Sequence, residues 1–179
     1  DYDYASARFE TDLDEPATIG RTAGERTVRR LNPRKVDTAQ VPVVYEPRVA
    51  GGLLRHLSGA ISGTAVARRT SFLRDRMDEM VFAAGINVID DPHRVRGLSS
   101  RPFDGEGAAT KRCAVIEDGT LCTWLLDRAS GHQLGLPSTG HAARGTSAPP
   151  SPSPSNLYLE AGTASPTELM ANIASGLYI

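Results

Sequence analysis

Lys111-Arg112-Cys113-Ala114-Val115-Ile116-Glu117-Asp118-Gly119-Thr120-Leu121-Cys122-Thr123-Trp124-Leu125-Leu126 is the stretch whose reading decides the fold. Two runs rich in β-formers flank Asp118-Gly119, the dipeptide that favours a two-residue type I′ turn, so the stretch reads as a hairpin. With the turn at those two residues, Val115 faces Cys122 and Cys113 faces Trp124. The cysteines then share one face diagonally, about 7–8 Å apart, which is a poor separation for a disulfide. They are expected to be buried free thiols with a packing role.

Working outward, Asp127 to Gly135 reads as a short helix closed by glycine, and Ile86 to Ile89 as a short apolar strand. Asp90-Asp91-Pro92, which follows, reads as a turn. Pro47 stands where a helix begins, and Val49, Leu53, Leu57 and Ile61 recur at i+4 in a stretch that also holds Gly51, Gly52, Gly59 and Gly63. Val41 to Tyr45, with Pro42 inside it, suits the start or edge of a strand. Thr70 to Met80 is left open between helix and ordered loop. Thr18 to Leu31 reads as a helix capped by Thr18 and stopped before Pro33. Pro137 to Pro154 is dense in Ser, Thr, Gly and Pro and reads as a long surface loop, followed by a strand at Asn156 to Leu159. Ser165-Pro166-Thr167-Glu168 combines a capping box with proline at the first helical position and predicts a helix to about Ser175. Leu177 to Ile179 reads as a strand. The expected class is therefore α+β, with a hairpin near residues 111–126 and flanking helices.

The 179 residues suffice for one globular domain with a real core, and 40% are hydrophobic. The net charge of −1 gives no global pull towards nucleic acid or an anionic membrane. Locally the charges segregate: acidic residues crowd the first fifteen positions, while Arg21, Arg26, Arg29, Arg30, Arg34 and Lys35 follow. That basic face is expected to be solvated. Val81 to Ile89, the longest nearly apolar stretch, falls far short of the roughly 20 residues that span a bilayer. With two cysteines and no leader-like opening, a cytoplasmic location is expected, without membrane attachment.

Candidate chemistry is sparse. His56, His93, His132 and His141 show no ligand spacing, and neither HExxH nor CxxC occurs. Asp104 and Glu106 sit in a glycine-bracketed loop able to bind a cation or a peptide amine, or simply to lead into the hairpin. Ser138-Thr139-Gly140-His141 brings hydroxyls near an imidazole, but nucleophilic catalysis also needs an oriented base and an oxyanion site. Ser138, Thr139, His141, Asp104 and Glu106 are therefore carried as peptide-binding or structural loop residues. No catalytic residue is assigned. No Walker or Gly-x-Gly-x-x-Gly sequence indicates a nucleotide cradle.

Six segments, in order, resemble the TldD/PmbA family: Leu31 to Lys35, the glycine-rich helix Ala50 to Gly63, Arg101 to Gly107, Trp124 to Leu126, Leu134 to Ala142 and Asn156 to Leu159. The resemblance implies a metallopeptidase family that trims peptides and unfolded chains, and to which the older name modulator of DNA gyrase attaches. It implies an incomplete fragment of the β-rich C-terminal domain with residues missing on both sides, or else one domain over residues 1–179. Catalytic members carry a His-Glu-x-x-x-His zinc motif. Aligning Leu53-Leu54 and Gly59 places Arg55, His56 and Ala60 at its three positions, so both ligands are gone. The chain is thus similar to the PmbA/TldE-type branch, a non-catalytic subunit with no metal or cofactor of its own, zinc being expected in a TldD-type partner. The implied partners are that catalytic subunit and a peptide or unfolded substrate, with a homodimer as the alternative in isolation. Competing expectations are a peptidase using a different metal site built from His56, His93, Glu106 or His141, and a DNA-interaction module using the basic helix. Ligands five apart lie about 140° apart on an ideal helix, so the motif implies a π-like widening eased by Gly59. On that reading Arg55→His with His56→Glu and Ala60→His restores at least weak zinc affinity in a full-length chain that supplies a further ligand downstream.

Overall fold

The computed structural model describes residues 1–179 as two compact units, 1–41 and 42–179. In the first, α1 (Pro16–Arg29) begins two residues before the expected Thr18. Pro16 occupies the first helical turn, where its fixed φ is already helical and its missing N–H costs nothing. The helix stops at Arg29 and does not reach Leu31, and Asn32 takes a left-handed conformation before Pro33. Arg26 pairs with Asp3 at 2.7 Å and Arg30 with Asp1 at 3.4 Å, so the acidic opening folds back onto the basic helix. No residue of α1 is buried.

The second unit opens with β1 (Val43–Val44) and α2 (Pro47–Ala60), whose start at Pro47 matches the expectation. A short α3 (Gly63–Ala67) follows. Residues 70–80, left open by the sequence, form turns and not a helix. Ser71 donates its hydroxyl to the Ala60 carbonyl at 2.6 Å, and the Asp78 N–H donates to the Leu121 carbonyl at 2.9 Å.

The central sheet comprises β2 (Val88–Asp90), β3 (Cys113–Glu117), β4 (Thr120–Leu121) and β7 (Leu157–Leu159), all antiparallel in the order β4-β3-β2-β7. Ile116 pairs with Leu121 and Glu117 with Thr120, and Asp118 and Gly119 both have positive φ, as a type I′ turn requires. The hairpin is therefore where the sequence puts it, but its second arm is shorter. The ladder ends at the Cys122 N–H to Val115 carbonyl bond, and the chain then leaves so that Leu125 bridges to Ser62. Trp124 consequently does not face Cys113. The cysteines are free but not buried as expected: Cys113 is half-buried and Cys122 exposed. Asp90, read as part of a turn, instead ends the buried strand β2.

After the hairpin, α4 (Arg128–Leu134) is capped by the Asp127 carboxylate on the Ser130 N–H and closed by left-handed Gly135. The Pro- and Ser-rich stretch carries a small two-stranded pairing of β5 (Ala142–Ala143) with β6 (Ser151–Pro152) and is partly buried, so it is more than a surface loop. The expected capping box at Ser165 and Glu168 starts α5 (Pro166–Ala171), which ends short of Ser175. β8 (Leu177–Tyr178) pairs in parallel with β1. The core lies between α2–α3 and the sheet, with Ile61, Val115, Ile116, Leu121 and Leu125 fully enclosed. No helix is long and apolar enough to cross a membrane.

Candidate functional site

α2 runs as an unbroken α-helix from Pro47 to Ala60, so the widening expected around Gly59 is absent. Arg55 and His56 are exposed, whereas Ala60 is buried in the core. A guanidinium is a permanent cation and a methyl group has no lone pair, so these three residues do not fit a zinc ion. Their burial also shows that positions 55 and 60 point to different sides of a regular helix.

Asp104 and Glu106 come together in one turn but serve internal bonds. Asp104, 3% exposed, accepts from the N–H groups of Glu106 and Ala108 at 2.9 Å each and of Ala142 at 3.1 Å. Burial acts to raise its pKa, but those three N–H groups and the Arg101 guanidinium outweigh it and hold the carboxyl below its ordinary value. Glu106 accepts from the Arg128 N–H at 2.8 Å, satisfying an otherwise orphaned donor at the start of α4. His93 faces the Thr110 hydroxyl at 3.2 Å, and no group of three His, Cys, Asp or Glu side chains is placed to hold a metal.

A more connected arrangement surrounds residues 138–141. The Thr139 hydroxyl lies 2.8 Å from His141 Nδ1, and His141 Nε2 lies 3.2 Å from Asp90 Oδ2. Both His141 and Asp90 are buried, at 3% and 1% exposure. An ionised carboxylate has only acceptors, so Nε2 carries the proton and Nδ1 is left to face the hydroxyl. Asp90 also accepts from the Ser155 N–H at 2.8 Å and the Ser155 hydroxyl at 2.7 Å. Thr139 Oγ1 accepts from the Leu126 N–H at 2.8 Å, while the Ser138 hydroxyl donates to the Leu126 carbonyl at 3.1 Å. Asp90 and Ser155 were missed by the sequence reading. The only signal for Asp90 was a carboxylate directly after an apolar strand run, a place where burial demands partners.

Thr139 and His141 open onto a groove of about 540 Å³, whose walls include Lys111, Cys113, Cys122 and Ser138. It forms where the hairpin arms part after Cys122. Burial pushes the Cys113 thiol up to about 11, with the Asp90 carboxylate adding to the rise. Cys113 is thus a poor nucleophile at neutral pH.

With this geometry in view, residues 38–179 match the model of the PmbA/TldA metallopeptidase C-terminal domain. The metalloprotease PmbA of Escherichia coli O157:H7 is 43% identical over 142 residues, 79% of this chain and 32% of that protein. The metalloprotease PmbA homologue of Haemophilus influenzae is 39% identical over 142 residues, with the same shares covered. A Bacteroides thetaiotaomicron crystal structure named for a modulator of DNA gyrase superposes with a TM-score of 0.86 at 27% identity, covering 98% of this chain and 37% of that one. TldE from Thermococcus kodakarensis shares the fold, with a TM-score of 0.82 at 23% identity over 94% of this chain and 38% of its own. The chain spans about a third of the length of the curated relatives it matches.

Proposed function

The chain belongs to the PmbA/TldD metallopeptidase family, and from that premise we propose that it is the non-catalytic subunit of a two-subunit peptidase acting on peptides and unfolded chains. Its part is to shape the peptide channel and stabilise a zinc-bearing TldD-type companion. The reading rests on α2, where the family resemblance aligns Arg55 and Ala60, both on one regular helix, with the motif's two ligand positions. Neither can bind zinc, and one is exposed while the other is buried. The ion pairs between α1 and the acidic opening argue against the DNA-interaction reading, because they partly neutralise the basic face.

The name metalloprotease borne by the curated relatives favours a second reading, a metal-dependent peptidase in its own right. Metal analysis and peptide cleavage by the purified protein, alone and mixed with a TldD-type companion, separate the two. The expected result is no stoichiometric zinc and no cleavage alone, with cleavage appearing on mixing. Zinc at one per chain, or chelator-sensitive cleavage without the companion, overturns the non-catalytic assignment. Because α2 is regular, Arg55→His with His56→Glu and Ala60→His is now expected to bind no stoichiometric zinc either. Tight zinc in that triple variant would show that the helix can widen.

A further inference from the structure

We propose that Thr139, His141 and Asp90 form a hydroxyl–imidazole–carboxylate site for acyl transfer from esters or thioesters, independent of any metal. The roles follow from the geometry. A nucleophile needs a base within about 2.6–3.2 Å and an orienting group behind that base. The Thr139 hydroxyl is 2.8 Å from His141 Nδ1, and Asp90 holds Nε2 at 3.2 Å. Asp90 is fixed in turn by two bonds from Ser155. The Leu126 N–H, 2.8 Å from Thr139 Oγ1, stabilises negative charge as it develops on that oxygen. Thr139 is half-buried and opens onto the groove, so its oxygen has space beside it for an acyl carbon.

The arrangement also tolerates the proton it must carry. With His141 neutral, the hydroxyl donates to Nδ1. With His141 protonated, Nδ1 donates to Oγ1, and the hydroxyl hydrogen turns to the carbonyl of Trp124 at 3.2 Å or Leu126 at 3.3 Å. In the first half-reaction Thr139 Oγ1 bonds to the acyl carbon and its proton passes to His141 Nδ1. The bond to the alkoxide or thiolate leaving group breaks, and that group takes the proton from Nδ1. Water then attacks the Thr139 ester and yields a proton to Nδ1. The carboxylic acid departs and the proton returns to Oγ1.

The neighbouring backbone donors limit the substrate class. The Thr139 N–H is bonded to the Leu126 carbonyl at 3.2 Å and the Gly140 N–H to the Ser138 hydroxyl at 3.2 Å. Of the two requirements for nucleophilic catalysis, the oriented base is met and a free pair of oxyanion N–H groups is not, so the reaction is confined to acyl groups with good leaving groups and amides are not cleaved. The site therefore goes beyond the proposed subunit role and does not depend on it.

The test treats the full-length protein with p-nitrophenyl acetate and, separately, with an alkyl fluorophosphonate, and maps the adduct by peptide mass spectrometry. The expected result is one stable adduct on Thr139 with the fluorophosphonate and release of p-nitrophenol from the acetate, both unaffected by chelator. Thr139→Ser keeps the adduct and Thr139→Val loses it. His141→Ala slows labelling about 100-fold or more, the scale of a lost general base, and added imidazole restores part of it. Asp90, a positioning residue, is read from the pH profile: Asp90→Asn moves the ascending limb of labelling rate against pH, which a merely structural role would leave in place. No adduct on the wild-type protein, adducts confined to Lys111 or Cys122, or labelling abolished by chelator each overturns the proposal without bearing on the subunit reading. Because the wild-type result alone decides the point, variants that fail to fold do not obscure it.

Discussion

Asp104 holds its loop by accepting from three backbone N–H groups, and this sets how the protein responds to acid. Its folded-state pKa is lowered, so its contribution to stability is complete above the ordinary carboxyl value of 3.8 and drains away as pH falls through the lower folded value. Asp104→Asn, which keeps one acceptor oxygen but not the charge, is expected to cost about 1.5–3 kcal/mol at pH 7. The deficit should shrink towards pH 2, and chemical denaturation at a series of pH values measures it. A deficit that stays constant with pH would assign the loss to packing instead. The cysteines separate at the same scale. Cys122 is exposed, while burial pushes Cys113 up to about 11, leaving little thiolate at neutral pH. Iodoacetamide is expected to label Cys122 well before Cys113 in the folded protein, with intact mass unchanged by reductant. Equal labelling rates, or a gain of two mass units on reduction, would contradict this. Cysteine content was legible in the sequence. Cysteine exposure was not, because it turned on where the second arm of the hairpin departs.

Among the elements, the hairpin shows how local and distant constraints meet. Gly119 has φ of +80°, and a Cβ there would meet the carbonyl oxygens of Phe82 at 2.6 Å and Ala83 at 2.7 Å. The turn type explains the first demand and the chain packed against it the second. Gly119→Ala is expected to cost about 1–3 kcal/mol. Gly162→Ala, with nothing within 4 Å, serves as the near-neutral control. Thermal unfolding of the two variants side by side checks this, and equal midpoints would refute it. α5 makes the complementary point. Its capping box was readable because Ser165 and Glu168 bond to one another's backbone within a single turn. Its end was not, since no residue of α5 is buried and nothing in the core extends the helix. Gly176, just past the expected end of the helix, is needed for a separate reason: a Cβ there would sit 2.9 Å from the Pro42 carbonyl beside the β1–β8 pairing.

For the whole molecule, every buried hydrophobic side chain lies between Leu57 and Ala142, and residues 1–41 contribute none. Removing residues 1–41 is therefore expected to leave the unfolding midpoint within about 3 °C of the parent, the shift that ~1 kcal/mol produces in a chain of this size. Loss of cooperative unfolding in the 42–179 fragment, followed by circular dichroism, would refute this. The sequence by itself determined the α+β class, the turn at Asp118-Gly119, the helix starts at Pro47 and Ser165 and the stop at Gly135. Each is encoded within a few residues by φ preference or by a side chain reaching its own turn. The ordered family segments were equally readable. Only the tertiary structure decided that β2 lies between β3 and β7, that Asp3 meets Arg26, and that Asp90 gathers His141 and Ser155. Those partners stand 23, 51 and 65 residues apart along the chain. Nothing local specifies such meetings: a buried carboxylate must find donors, but which distant donors it finds depends on how the core brings the strands and loops together.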